Sequence, residues 1–233
     1  MPTSRKLDLA PVSLRRRPVT RLAQLLVGLV LYGTSMAAQV RSGLGLNPWD
    51  VLHQGLAPRL GWSFGAVTAL TGVLVLLAWI PLRQRPGVGT VANVVVIAFA
   101  VDAALRLIPE ATALPWRIAL MVGGVLLNGL ATACYVGPRL GPGPRDGLMT
   151  GLHARTGWSV RWVRTGIELT VLAVGWLLGG TVGVGTVLYA AAIGPLTQLF
   201  LPWMVYRERP AAVVVPVRPI GPVGGPCAAP ATE

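Results

Sequence analysis

Long apolar runs separated by short polar segments dominate this chain. Uncharged stretches cover residues 22–40, 62–82, 118–136 and 169–206. A helix that crosses a membrane needs about 20 predominantly apolar residues. The last run is therefore too long for one crossing, and the glycine-rich segment 179–183 interrupts it. The pattern predicts six membrane-spanning helices, near residues 21–40, 62–82, 88–107, 117–136, 160–179 and 184–205.

The sequence matches itself when it is shifted by 96 residues. The register aligns Arg21 with Arg117, Pro48 with Pro144, Asp50 with Asp146, 61–63 with 157–159, and 87–91 with 183–187. Apolar bias alone can align leucines, but it does not align arginine, proline, aspartate and tryptophan in one register without a gap. We therefore infer an internal duplication.

Each copy contains three predicted spans, so the second copy should be inverted in the membrane relative to the first. With the N-terminus inside, the inner segments hold 16 Lys and Arg residues and the outer segments hold 4, as the positive-inside rule requires. The predicted fold is an all-α membrane protein with both termini cytoplasmic. Its parts are a basic flexible N-terminus (1–20), two three-helix repeats (21–107 and 117–206) and a flexible C-terminal tail (207–233).

A repeated motif follows the first span of each copy and is typical of a helix start. Asn47 suits the N-cap, Pro48 suits the first helical position, and the Asp50 carboxylate can reach back to the cap N–H. The second copy keeps the proline and the acid, in Pro144, Arg145 and Asp146. Two interpretations stay open. The motifs begin capped helices on the membrane surface, or they begin re-entrant helices that build a substrate or ion pathway, as in inverted-repeat transporters.

Two charged residues fall inside the fifth predicted span. Glu168 lies about nine residues into it, and Arg164 lies one helical turn earlier. A charge at this depth is costly and usually faces a partner or water. The two residues form either a structural ion pair or part of the pathway, with Glu168 as a carboxylate that couples transport to a proton or substrate.

Several classes of function are not expected. The net charge is +12, but the basic residues form no single patch, which argues against nucleic acid. Cys134 and Cys227 form no metal or disulfide pattern. His53 and His153 do not align in the repeat, and no acid–histidine constellation is apparent around them. We therefore expect no cofactor, no bound metal and no enzymatic activity.

The motifs resemble those of a known group of proteins. Residues 45–56, which read GLNPWDVLHQGL, and residues 143–149, which read GPRDGLM, resemble the two signatures of the YczE/YitT-like bacterial integral membrane proteins. The resemblance spans roughly residues 20–205 and implies a multi-pass protein of the bacterial plasma membrane. It supplies no mechanism.

Two functions are compatible with these features. The first is a small secondary transporter or exporter of an unidentified solute. The second is a non-transporting accessory or scaffold protein for a membrane complex. The expected partners are the lipid bilayer and either a small-molecule substrate or another membrane protein.

Overall fold

The structure, a computed structural model, describes residues 17–206. The predicted flexible segments 1–20 and 207–233 lie outside this range except for residues 17–20, and 18–20 already belong to the first helix. The described residues form eight helices and no strand: α1 (Pro18–Ser42), α2 (Pro48–Leu60), α3 (Phe64–Leu82), α4 (Val88–Leu107), α5 (Leu114–Val136), α6 (Pro144–Thr156), α7 (Val160–Leu177) and α8 (Val184–Met204).

Five of these helices, α1, α3, α4, α5 and α8, are long and apolar enough to cross a membrane. Many of their large apolar side chains point outward, as lipid contact requires; Phe99 of α4 is one example. The fifth predicted span, α7, has 18 residues and carries Arg161, Arg164 and Glu168, so it is more polar than the other five. The prediction of an all-α membrane protein is confirmed, whereas the count of six spans stays a prediction.

The equivalent helices α1 and α5 pack side by side in opposite directions. Near the start of α1, Arg21 donates from Nε to the carbonyl oxygen of Pro138, beyond the end of α5, at 2.8 Å. Near the start of α5, Arg117 donates from Nε to the carbonyl oxygen of Ser42, the last residue of α1, at 2.7 Å. The two donors are 96 residues apart, and so are the two acceptors. The two copies of the repeat therefore make the same contact.

Most of the remaining helix contacts also occur twice, between equivalent helices of the two copies. Helix α1 packs on α4 as α5 packs on α8, α2 packs on α7 as α6 packs on α3, and α2 contacts α3 as α6 contacts α7. The largest departure from the pattern is that α3 packs along α4, whereas α7 and α8 do not pack together to a comparable extent. Four pairs of residues with left-handed backbone are also 96 apart: Gly43 and Arg139, Gly45 and Gly141, Gly61 and Gly157, Arg83 and Gly179.

The loop before each short helix is hydrogen-bonded to the other copy. The carbonyl oxygen of Leu44 accepts from the N–H of Gly185 at 2.8 Å, and that of Leu140 accepts from the N–H of Gly89 at 3.0 Å. Gly45 has φ +120°, and a Cβ there would lie 2.8 Å from the backbone nitrogen of Gly183. These loops fix where α2 and α6 begin.

Candidate functional site

The first motif forms the capped helix start that the sequence predicts. Asn47 Oδ1 accepts from the backbone N–H of Asp50 at 3.0 Å, Pro48 is the first residue of α2, and Gly61 ends the helix. One detail differs from the prediction. The Asp50 carboxylate accepts from the Asn47 side-chain amide, at 2.5 Å, because the side chain of this N-cap offers a second donor.

The second motif begins α6 in the same way with a simpler cap. Gly143 is the N-cap and has no side chain to donate, Pro144 is the first helical residue, and Gly157 ends the helix. Here the Asp146 carboxylate accepts a hydrogen bond from the backbone of Gly143, which is the contact that the sequence predicts. Asp146 is exposed, whereas its equivalent, Asp50, is fully buried.

The two helix starts meet inside the helix bundle. The guanidinium carbon of Arg145 lies 4.8 Å from the centroid of the Trp49 ring, and Arg145 Nη2 lies 3.9 Å from Asp50 Oδ1. Trp49 and Arg145 are 96 residues apart, so equivalent positions of the two copies touch. The Arg145 side chain is 26% exposed, which leaves it reachable from one side.

His53 belongs to this site although the sequence analysis set it aside. Its Nδ1 lies 3.3 Å from Asp50 Oδ1, and its Nε2 lies 2.7 Å from Thr71 Oγ1. The expectation that no acid accompanies a histidine was therefore wrong. The three-residue spacing from Asp50 to His53 on one helix face was the signal that could have revealed the pair. Burial lowers the pKa of the His53 imidazole, and Asp50 opposes that effect.

Polar and aromatic side chains from the central helices complete the site. The Tyr189 hydroxyl donates to Asn128 Oδ1 at 3.1 Å, and Asn128 Nδ2 donates to Ser35 Oγ at 2.7 Å. Tyr32 and Tyr135 pack edge to face with ring centroids 5.7 Å apart. Tyr32 and Asn128 occupy equivalent positions of the repeat, so this network lies where the copies meet. None of the tyrosines was predicted to belong to the site.

Arg164 and Glu168 of α7 form an ion pair, and their role stays a prediction. Arg164 Nε donates to Glu168 Oε1 at 2.9 Å, and both side chains are partly exposed. Arg164 also lies close enough to Asp146 to stabilise its carboxylate electrostatically. The pair therefore flanks the exposed side of the second motif and is not part of the contact between Arg145 and Trp49.

Two other features limit what the site can hold. Surface grooves of about 590 and 520 Å³ are lined mainly by apolar residues of α4, and neither includes a motif residue. Within residues 17–206, no three His, Cys, Asp or Glu side chains group as metal ligands would. The chemistry available at the motifs is therefore that of carboxylates, guanidinium groups, an imidazole and aromatic rings.

Comparisons with known proteins agree with this architecture. The profile of a family of unknown function, DUF6198, matches residues 19–202. The chain belongs to the DUF6198 family. Its relatives include an uncharacterized Haemophilus influenzae protein, 41% identical over 192 residues that cover 82% of this chain and 88% of the relative.

A Bacillus subtilis relative, described as the uncharacterized membrane protein YczE, is 33% identical over 192 residues, 81% of this chain and 89% of the relative. A second Bacillus subtilis relative, the uncharacterized protein YyaS, is 24% identical over 76% of this chain and 90% of its own length. The resemblance to YczE is thus confirmed, and the apolar helices of this DUF6198 protein agree with the membrane description. No solved structure matches the chain.

Proposed function

We propose that this protein is a small secondary transporter or exporter whose solute site lies where α2 and α6 begin. The contact of Arg145 with Trp49 and Asp50 carries the proposal, because it brings equivalent segments of both copies to one point among the apolar helices. Inverted-repeat transporters bind their substrates between the repeats, at the starts of interrupted helices.

The proposed topology has six spans in two inverted repeats, with α2 and α6 re-entrant and both termini in the cytoplasm of a bacterial cell. The antiparallel packing of α1 and α5 supports it, because equivalent helices that run in opposite directions belong to inverted copies. The 16 to 4 distribution of basic residues supports the orientation. Arg164 and Glu168 pair with each other. This pairing lowers the free-energy cost of placing their charges in the membrane, which supports α7 as a span.

The charge and aromatic content of the site favour a cationic solute. Three carboxylates, of Asp50, Asp146 and Glu168, outnumber the two guanidinium groups of Arg145 and Arg164. The stacking of Arg145 on Trp49 already shows one cation on an aromatic face, an interaction that strengthens when water is excluded. Access is from the side where α7 and α8 stand apart and Asp146 is exposed.

Reconstitution into liposomes tests this proposal with ethidium and tetraphenylphosphonium as probe cations, under an imposed pH gradient. We expect the wild-type protein and Glu110→Gln to move at least one probe. Glu110 is a matched acid control because it is exposed and pairs only with Arg41 among the described residues. Asp50→Asn and Asp146→Asn should abolish movement while the protein still elutes as a single species in detergent. Folded wild-type protein that neither binds nor moves either probe would overturn the proposal.

A second candidate is an accessory protein that stabilises a membrane complex. It is favoured by α8, which is the least buried of the five long apolar helices and whose Trp203 is 76% exposed. Crosslinking in native membranes should then recover a stoichiometric protein partner, and Arg155→Gln should weaken its recovery. Arg145 is a poorer contact for such a partner because it lies against Trp49.

A further inference from the structure

We infer that Asp50 and His53 bind one proton between them and that this proton competes with Arg145 for the Asp50 carboxylate. Its role as the coupling ion rests on the proposed transport function, whereas proton binding stands on the geometry alone. The second copy of the repeat has no such pair, because the residue equivalent to His53 is Met149.

The hydrogen-bond partners of His53 allow two arrangements of the neutral ring. The Thr71 hydroxyl lies 3.1 Å from the carbonyl oxygen of Val67, 3.0 Å from that of Thr68 and 2.7 Å from His53 Nε2. If the hydroxyl donates to a carbonyl, its oxygen accepts from Nε2, which then carries the ring hydrogen. If the hydroxyl donates to Nε2, the ring hydrogen lies on Nδ1.

The other ring nitrogen faces two oxygen acceptors. Nδ1 of His53 lies 3.3 Å from Asp50 Oδ1 and 3.3 Å from Thr68 Oγ1. The Thr68 hydroxyl donates to the carbonyl oxygen of Phe64 at 2.9 Å, so its oxygen is also free to accept. When Nε2 carries the hydrogen of the neutral ring, the lone pair of Nδ1 faces a carboxylate oxygen. A further proton held between Nδ1 and Oδ1 then supplies a donor to that oxygen.

One oxygen of the Asp50 carboxylate, Oδ1, lacks a hydrogen-bond donor. Asp50 is fully buried, its Oδ2 accepts from Asn47, and its Oδ1 accepts no hydrogen bond from any described residue. A buried acceptor left without a donor is unfavourable, because it has lost its hydrogen bonds to water. Oδ1 is also the atom that faces Arg145, at 3.9 Å. The proton and the guanidinium group of Arg145 therefore compete for the same oxygen.

The surroundings of the pair contain few other charges. Arg145 of α6, Tyr32 of α1 and Tyr189 of α8 are the titratable side chains whose charges act on Asp50 from neighbouring helices. Helix α3 contributes threonine hydroxyls. Gly175 of α7 and Leu178, just beyond it, lie against α2 and do not titrate. A proton on the pair neutralises Asp50 and removes the attraction that holds Arg145, so loading would free Arg145 to move on Trp49.

Histidine-selective NMR tests the inference directly, because the chain has only two histidines. Protein with ¹⁵N-labelled histidine in nanodiscs, in a His153→Asn background and without a histidine tag, gives the signals of His53 alone. We expect both ring nitrogens to titrate in one step. Asp50→Asn should move the midpoint to lower pH by about 1 unit or more, and Arg145→Gln should move it to higher pH, because the two side chains carry opposite charges.

The matched control is Glu110→Gln, which should leave the midpoint unchanged. A His53 ring that does not titrate between pH 4 and 9, or a midpoint that is the same in wild type and Arg145→Gln, would overturn the inference. Arg145 is partly exposed, so this variant remains informative if Asp50→Asn does not fold. The titration needs neither solute nor gradient. Titration without probe transport would refute the transporter and keep the proton site, and transport without titration would do the reverse.

Discussion

The two copies of the repeat build the same helix start into different surroundings. In the first copy, α3 packs along α4 and Asp50 is fully buried beside His53. In the second copy, α7 and α8 stand apart and Asp146 is exposed. The two motifs thus carry equivalent carboxylates, and packing leaves only that of Asp146 exposed. The first copy, in which Asp50 is buried, suits proton binding. The second copy, in which Asp146 is exposed, suits contact with a solute.

A single pair of positions accounts for part of this difference. The equivalents Trp79 and Gly175 each face the short helix of the other copy. The buried Trp79 ring covers Gly147 of α6 and donates from Nε1 to the carbonyl oxygen of Pro144 at 3.0 Å. Gly175 lets α2 approach so closely that an added Cβ would lie 2.4 Å from the nitrogen of Leu52. One interface is filled by an indole ring, and the other is a backbone contact.

Removing the indole ring should have the largest effect. Trp79→Ala should lower the free energy of unfolding by about 3–5 kcal/mol, because it empties a buried site and removes the hydrogen bond to the Pro144 oxygen. The measurement is an SDS titration of the protein in dodecyl maltoside micelles. Trp176→Ala is the control, since Trp176 is 63% exposed whereas Trp79 is 1% exposed. Similar losses for both variants would contradict the role given to Trp79.

The reciprocal arginine contacts should differ because only one is deeply buried. Arg21 is 1% exposed and also lies over the Tyr206 ring, at 5.0 Å, whereas Arg117 is partly exposed. Arg21→Gln should cost about 1.5–3 kcal/mol, the range for hydrogen bonds to charged groups, and Arg117→Gln should cost less. The same SDS titration compares the two variants. A larger loss for Arg117→Gln would show that burial does not decide the value of this contact.

The close approach of α2 to α7 should tolerate no side chain at Gly175. Gly175→Ala should destabilise the protein by about 1–3 kcal/mol, because the methyl group would overlap the α2 backbone. Gly166→Ala on the same helix meets nothing within 4 Å, and it should be neutral or slightly stabilising, since alanine favours the helix. Equal behaviour of the two variants in thermal unfolding would exclude a tight contact at Gly175.

The fold could be predicted from the sequence because its signals are local and duplicated. Apolar runs long enough to cross a membrane gave the long helices to within a few residues, and each repeated motif gave the start of a short helix. The short helices could not be assigned to the surface or the interior, because this depends on packing between the two copies, such as the contact between Trp49 and Arg145.

The site was only half predictable for a similar reason. Asp50 and Arg145 stood out because they repeat or carry charge at a helix start. Tyr189 and Asn128 were indistinguishable from residues that merely join helices, since their hydrogen bond links positions 61 residues apart. The burial of Asp50 and the exposure of Asp146 could not be inferred either. Identical residues in the two motifs carry no information about the helices that surround each motif.

The smallest predicted effect makes the first helix start resemble the second. Asn47→Gly reproduces the Gly143 cap, and loss of a cap to glycine alone costs only a few tenths of a kcal/mol. Asn47 also donates to Asp50 Oδ2, so the carboxylate loses a donor that stabilises its charge. The proton shared with His53 should therefore bind more tightly, and the NMR midpoint should rise by less than about 1 unit.

The control for this last variant is Ser159→Ala, at the start of α7. Ser159 accepts from the backbone N–H of Trp162 at 3.4 Å and caps α7, away from the start of α2, so its loss should lower stability without moving the His53 midpoint. If Asn47→Gly also lost stability without moving the midpoint, Asn47 would act only as a helix cap. The two caps differ by one amide side chain. A rise confined to Asn47→Gly would mean that this amide sets the proton affinity of the pair formed by Asp50 and His53.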